Sequence, residues 1–225
     1  MIKYLFLLSV SLAVLFSCSQ IKNQYEVFSK DNKIEVKFLL NNSGQANYII
    51  NFDGKRVIDT SSFSFDFKDG KSFGANLEIV DATQSSFDKT WETVWGEQKY
   101  IRNNYNELIV EVREKEDMGR KCTVVFRVFN DGVGFRFEFP DQENMKDVVI
   151  VDENTQFNLT GNHKCWWIPG DWDIYEHLFN TTRFTEIDAM SKRNHPSLAQ
   201  TYIPENAVNT PVTMKANDGI YLSIL

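Results

Sequence analysis

Cys122 to Phe139 reads C-T-V-V-F-R-V-F-N-D-G-V-G-F-R-F-E-F, and this stretch decides the fold class. Phe135, Phe137 and Phe139 recur at every second position, with Arg136 and Glu138 between them. A pleated strand turns successive side chains to opposite faces, so three rings share one face and two charges the other. Asn130-Asp131-Gly132 separates two alternating runs, and Asn, Asp and Gly accept the positive φ angles of tight hairpin turns. Cys122–Phe129 and Gly132–Phe139 are therefore expected to form a hairpin. Glu107 to Arg113 alternates as strongly and is expected to pair with the first of them across the charged turn Glu114 to Arg120.

The same period continues in both directions. Upstream, Lys33–Leu39 and Ala46–Phe52 read as strands, with turn signals at Ser43-Gly44 and Asp53-Gly54. Phe63, Phe65 and Phe67 again place three rings on one face, Asp69-Gly70 closes that run, and Asn76–Asp81 follows. Ser85–Thr90 is so polar that it reads as a connector. Downstream, Asp147–Asp152, Gln156–Leu159, Ala207–Met214 and Gly219–Leu225 complete the set, the last two joined at Asn217-Asp218-Gly219. Phe184–Ile187 with Met190 fits a helical turn or a strand. No sustained stretch after Tyr25 carries apolar residues at helical spacing, and the 18 Phe, 8 Tyr and 5 Trp suit half-buried pleated surfaces. The expectation is an all-β chain.

Charge and motifs exclude several functions. A net charge of −7 over 225 residues argues against general nucleic-acid binding, which needs a basic face. The glycines near Gly132 and Gly134 open no helix, so no phosphate-cradling loop is present. His163, His177 and His195 lack zinc spacing, and no serine sits in a strand-turn-helix elbow. Residues 1–17, with Lys3 ahead of the apolar run Tyr4–Phe16, read as a signal peptide. The sequence L-F-S-C ending at Cys18 resembles a lipobox, so Cys18 is the expected lipidation site and the only route to a membrane. Residues 18–24 then form a linker, and the protein is expected to be secreted, periplasmic or an outer-membrane lipoprotein. An oxidising compartment would permit a Cys122–Cys165 disulfide, although the strand-like surroundings of Cys122 favour a buried free thiol.

Two stretches carry more chemistry than a strand needs. Trp91–Leu108 combines Trp91, Trp95 and Tyr100 with Arg102, Asn103, Asn104 and Asn106, which reads as a hydrogen-bonding surface or as a twisted edge strand. Cys165–Thr182, C-W-W-I-P-G-D-W-D-I-Y-E-H-L-F-N-T-T, sets Trp166, Trp167, Trp172 and Tyr175 beside a Pro169-Gly170 turn signal and the carboxylates Asp171, Asp173 and Glu176. Flat rings beside fixed carboxylates suit a sugar or a hard cation. The three acids fall short of a complete calcium loop.

Four blocks in this order resemble the N-terminal domain of glycoside hydrolase family 97: W-G-E-Q-K-Y-I-R-N-N-Y-N-E-L (Trp95–Leu108), F-R-V-F-N-D-G-V-G-F-R-F-E-F (Phe126–Phe139), W-I-P-G-D-W-D-I-Y-E (Trp167–Glu176) and N-T-P-V-T-M (Asn209–Met214). The resemblance implies that residues 25–225 form a β-super-sandwich of galactose-mutarotase-like topology. In that family this domain packs on a catalytic barrel that lies outside this sequence, and calcium binds near the substrate. The resemblance further implies that Glu176 is the calcium ligand, and that Trp167, Asp171, Trp172, Asn209 and Thr210 belong to the wall that contacts an α-linked oligosaccharide. The expected function is a non-catalytic module of an α-glucosidase or α-galactosidase, with no catalytic residue of its own. A stand-alone carbohydrate-binding lipoprotein is the alternative, and an aldose epimerase is suggested only by the shared topology. The apolar run at Leu225 reads as an incomplete domain edge.

Overall fold

A computed structural model describes residues 23–116, 119–193 and 201–225, so the expected signal peptide and Cys18 lie outside the described residues, as does His195. Fifteen strands account for most of the described chain: β1 (Gln24–Phe28), β2 (Ile34–Leu40), β3 (Ala46–Phe52), β4 (Lys55–Ser62), β5 (Phe65–Phe67), β6 (Leu77–Glu92), β7 (Tyr100–Glu114), β8 (Lys121–Val128), β9 (Val133–Glu138), β10 (Ile150–Glu153), β11 (Asn158–Leu159), β12 (Lys164–Trp167), β13 (Asn180–Arg183), β14 (Val212–Lys215) and β15 (Tyr221–Ile224). Helical structure among the described residues is confined to three-residue 3-10 turns, including Phe184–Glu186 and Met190–Lys192. The fold is all-β, and two compact units divide it. The first holds the described residues up to Ile49 and Ser62–Thr155; the second holds Ile50–Ser61 and Gln156–Leu225.

In the first unit β6, β7, β8 and β9 form an antiparallel sheet in that order. Both expected pairings are present: Val110 faces Val124 across β7 and β8, and Phe126 faces Phe135 across β8 and β9. Rings from the facing strands meet them. Phe126 lies with ring centroids 6.3 Å from Phe38 and 6.2 Å from Tyr48, and Phe137 lies 4.6 Å from Phe63 and 4.9 Å from Phe65. Phe139 closes the cluster against Phe65, Phe67 and Phe73. Alternation thus built two inner faces, and their aromatic contacts form a sandwich core. Gly44 lets the β2–β3 connection pass close to β6: its φ is +72°, and a Cβ there would lie 2.7 Å from the backbone N and O of Leu77.

Ser85–Thr90 departs from its reading as a connector. It lies inside β6, which pairs with β7 without a break from Asp81↔Glu111 to Glu92↔Tyr100. Residues 83–92 are exposed on both faces. As the edge strand, β6 buries neither face of its own residues there, so nothing selects an apolar alternation and the polar sequence hides the strand.

At the base of this unit the charged turn is tied by a buried ion pair. Arg120 Nε and Nη2 donate to the two Glu114 carboxylate oxygens at 2.8 and 2.6 Å, and its guanidinium also donates to the carbonyls of Lys71 and Ser72. Phe67 and Phe73 offer ring faces to the same cation.

In the second unit β13-β12-β14-β15 form an antiparallel sheet. Cys165, Trp167, Val212 and Met214 point to one side and pack with Ala189, joined by Leu159, Ile187, Val208, Leu222 and Ile224. The Asn217-Asp218-Gly219 hairpin forms as expected, with the Ala216 N–H on the Ile220 carbonyl at 2.8 Å. The strand expected over Ala207–Met214 begins only at Val212, after a cis Thr210–Pro211 peptide. Cys122 and Cys165 are both buried free thiols, so the disulfide option is not realised.

Candidate functional site

The segment after β12 does not turn at Pro169-Gly170, as that dipeptide suggested. It stays extended, pinned from both sides: the Gly170 N–H donates to the Ala207 carbonyl at 2.8 Å, and the Gly170 carbonyl accepts the Ile203 N–H at 3.0 Å. Isolated bridges join Pro169 to Val208 and Asp171 to Tyr202. Glycine is needed at 170 for space rather than for a turn, because a Cβ would meet Ile203 Cδ1 at 3.0 Å and Ala207 at 3.2 Å.

This pinning delivers Asp171 to a buried position, where it anchors the next six residues. Its Oδ1 accepts the N–H groups of Asp173 and Ile174 at 3.0 and 3.3 Å and the Thr201 hydroxyl, and its Oδ2 meets His177 Nε2 at 3.1 Å. Asn209 completes the anchor: its Oδ1 accepts the Asp171 N–H at 3.1 Å and its Nδ2 donates to the Ile174 carbonyl at 3.4 Å. Burial alone raises the pKa of a carboxyl, but the hydrogen bonds from Thr201, the Asp173 N–H, His177 and the Ile174 N–H outweigh it. They lower Asp171 to about 2. The His177 ring lies 5.3 Å from that of Tyr202.

Around this anchor the loop presents its other side chains outward. Trp172 is 71% exposed, Tyr175 64% and Phe179 65%, and the Asp173 and Glu176 carboxylates are exposed as well. Thr210 is exposed beside buried Asn209. Trp167 is 1% exposed and donates its indole N–H to Thr182 Oγ1 at 2.9 Å. It is a core residue of the second unit with no ring face free for a sugar, which corrects its expected place in the oligosaccharide-contacting wall. The sequence-based residues therefore sort into an internal brace, Asp171 with Asn209, and an outward set, Trp172, Glu176 and Thr210. His177, Thr201 and Tyr202 were not foreseen as members of the brace. No motif links them to Asp171, although the His177 ring six residues on was the one available signal.

A cation site would need several oxygen donors converging at one point. Among the described residues no three His, Cys, Asp or Glu side chains converge as a metal-binding group. Calcium takes about six to eight oxygens. The Glu176 and Asp173 carboxylates are of the right chemistry to supply one or two of them, and the rest of a shell is not in this segment.

The second aromatic stretch forms the tip of the β6–β7 arm, where Trp91 is 51% and Trp95 88% exposed. Arg102 pairs there with Asp88 through Nε and Nη2 at 2.8 and 2.6 Å, and Asn106 Nδ2 donates to the Phe28 carbonyl at 2.8 Å. Asn106 thus ties the arm to β1.

Comparison with known proteins gives a consistent result. The family model described as Glycosyl-hydrolase 97 N-terminal matches residues 27–225. A retaining alpha-galactosidase of Bacteroides thetaiotaomicron is 25% identical over 210 residues, covering 91% of this chain and 29% of that protein. A glycoside hydrolase family 97 enzyme of Pseudoalteromonas sp., solved in complex with panose and with acarbose, superposes with a TM-score of 0.75 at 30% identity, over 88% of this chain and 28% of that one. A beta-arabinopyranosidase shares the fold at a TM-score of 0.68 and 19% identity, over 88% of this chain and 31% of that one. This chain thus spans under a third of the length of the proteins it matches.

Proposed function

The chain belongs to the glycosyl-hydrolase 97 N-terminal family, and from that premise we propose that it is the non-catalytic N-terminal module of a secreted, calcium-dependent α-glycosidase. Its substrates would be α-linked oligosaccharides, with α-glucosides and α-galactosides both open. The observation that carries this reading is the loop from Trp172 to Phe179, whose exposed rings and Glu176 carboxylate are held on a rigid buried brace at Asp171. A surface that must meet a substrate in one geometry gains from such pre-organisation, because little ordering remains to be done on binding.

In this reading Trp172 lays a ring against a sugar face, and Thr210 offers a hydroxyl at the same rim. Glu176 donates one oxygen to a calcium ion whose other ligands come from the catalytic part of the protein. Bound there, calcium would polarise sugar oxygens and hold the substrate in place. The carboxylate pair that breaks a glycosidic bond belongs to the catalytic part. Secretion, with a lipid anchor at Cys18, places the module where oligosaccharides are met.

The test uses the longer protein that carries this module. Glu176→Gln keeps shape and removes charge, so it should raise the calcium concentration for half-maximal hydrolysis of an α-glycoside about tenfold or more. Superimposable calcium titrations of wild type and variant would remove Glu176 from the site.

A further inference from the structure

The outer face of the β13-β12-β14-β15 sheet bears a row of like charges. Register places Lys164 directly opposite Arg183 on one side and Lys215 on the other, and Lys215 opposite Tyr221. Three cations therefore lie in one row across three strands, at the inter-strand spacing of about 4.8 Å. Like charges directly opposite one another destabilise a sheet. Among the described residues no carboxylate forms an ion pair with any of the three. The acids at the margin are engaged elsewhere: Asp218 with Lys55 at 3.2 Å, and Glu186 with the backbone N–H of Arg183 at 2.9 Å. The chain as a whole carries a net charge of −7, so general basicity does not account for the row.

The neighbouring row supplies the rest of a binding face. Trp166 lies opposite Thr181 and Thr213, and Thr213 opposite Ser223. The Trp166 and Tyr221 rings stack at 6.2 Å with 17° between their planes, and Lys164 and Lys215 hold their ammonium groups over Trp166 and Tyr221 at 5.4 and 5.0 Å. The rings thus hold the two lysines, and Arg183 Nη1 donates to the Asn162 carbonyl at 3.2 Å and to Asn217 Oδ1 at 3.1 Å, so the three cations are positioned by neutral partners that leave their charge in place.

We propose that this face binds an anionic oligosaccharide, one carrying uronate or sulfate groups, with the Arg183-Lys164-Lys215 row taking the charges and the Thr181, Thr213 and Ser223 hydroxyls contacting ring oxygens. The choice of a sugar over an acidic peptide rests on the reading of the chain as a glycosidase module. The face shares no residue with the Trp172–Glu176 loop and gives the protein a second carbohydrate contact of different charge.

Titration calorimetry of the 225-residue chain with trigalacturonate, maltotriose and a glutamate oligopeptide of matched charge tests the assignment. Trigalacturonate should bind, maltotriose should bind at least tenfold more weakly, and raising the sodium chloride concentration should weaken the first. Lys164→Gln combined with Lys215→Gln should lower trigalacturonate affinity at least tenfold while circular dichroism shows the fold retained. Should that variant unfold, Arg183→Gln alone should give a smaller loss in the same direction. Absence of trigalacturonate binding, equal binding by the variants, or equal binding of the glutamate peptide overturns the proposal. Hydrolysis of neutral α-glycosides by the longer protein is read separately, so loss of one reading leaves the other standing.

Discussion

Asp171 and His177, six residues apart, meet at 3.1 Å through Oδ2 and Nε2, with both side chains almost wholly shielded from solvent. That contact turns a polar loop into a fixed structure. Removing the acceptor charge leaves buried donors poorly matched, so Asp171→Asn should cost about 1–3 kcal/mol of stability at neutral pH. Urea unfolding followed by circular dichroism checks the figure, and limited proteolysis should show faster cleavage between residues 171 and 180.

The same carboxylate sets a pH dependence. Its folded pKa, about 2, lies below the ordinary value of 3.8, so its contribution to stability is fully present above about pH 4. It is lost as pH falls from there through about 2. Urea midpoints should decline over that window in the wild type, and the decline should be shallower in Asp171→Asn. Parallel curves would show that Asp171 does not carry it.

Trp167 and Trp172 should respond in opposite ways. Trp167→Ala empties a packed core position and should cost about 3–5 kcal/mol. Trp172→Ala touches an exposed ring and should shift stability by no more than about 0.5 kcal/mol. In the longer protein only Trp172→Ala should raise the KM for an oligosaccharide with the fold intact.

The Glu114–Arg120 pair predicts an asymmetric outcome. Arg120→Ala strands a buried carboxylate and should cost about 3–5 kcal/mol, whereas replacing both partners with apolar residues of similar volume should cost less than the single change. A double-mutant comparison of chemical unfolding measures both.

Burial pushes the Cys122 thiol up to about 12 and raises that of Cys165 as well. Neither should be alkylated in the native protein at pH 8, and both should react once urea is added. Peptide mapping by mass spectrometry reads the two sites individually, and a Cys122–Cys165 disulfide peptide would contradict the structure.

The fold was legible over β2, β3 and β7 to β9, where one face of a strand is buried and the alternation is regular, whereas β4 and β12 also bury a face but were not read as strands. Phe135, Phe137 and Phe139 alternate because a sandwich core demands it, and the Asn130-Asp131-Gly132 turn fixed their partner. Where neither face is buried, as over Ser85–Thr90, the code falls silent and that part of the longest strand read as a connector, although its start was read within Asn76–Asp81. The family was legible as well, because its four blocks keep their order along the chain.

What the sequence could not separate was which residues of the Trp167–Glu176 block face solvent. Trp167 and Trp172 are chemically the same, and only the pairing of β12 with β13 and β14 turns one into the core while the brace at Asp171 turns the other out. That brace draws on Thr201 and Asn209, some thirty and thirty-eight residues away. The cation row is likewise a product of register: Lys164, Arg183 and Lys215 are unremarkable charges along the chain until three strands lie side by side. Local alternation is written in neighbouring residues and can be read from them, whereas contacts between distant segments exist only once backbone pairing has brought those segments together.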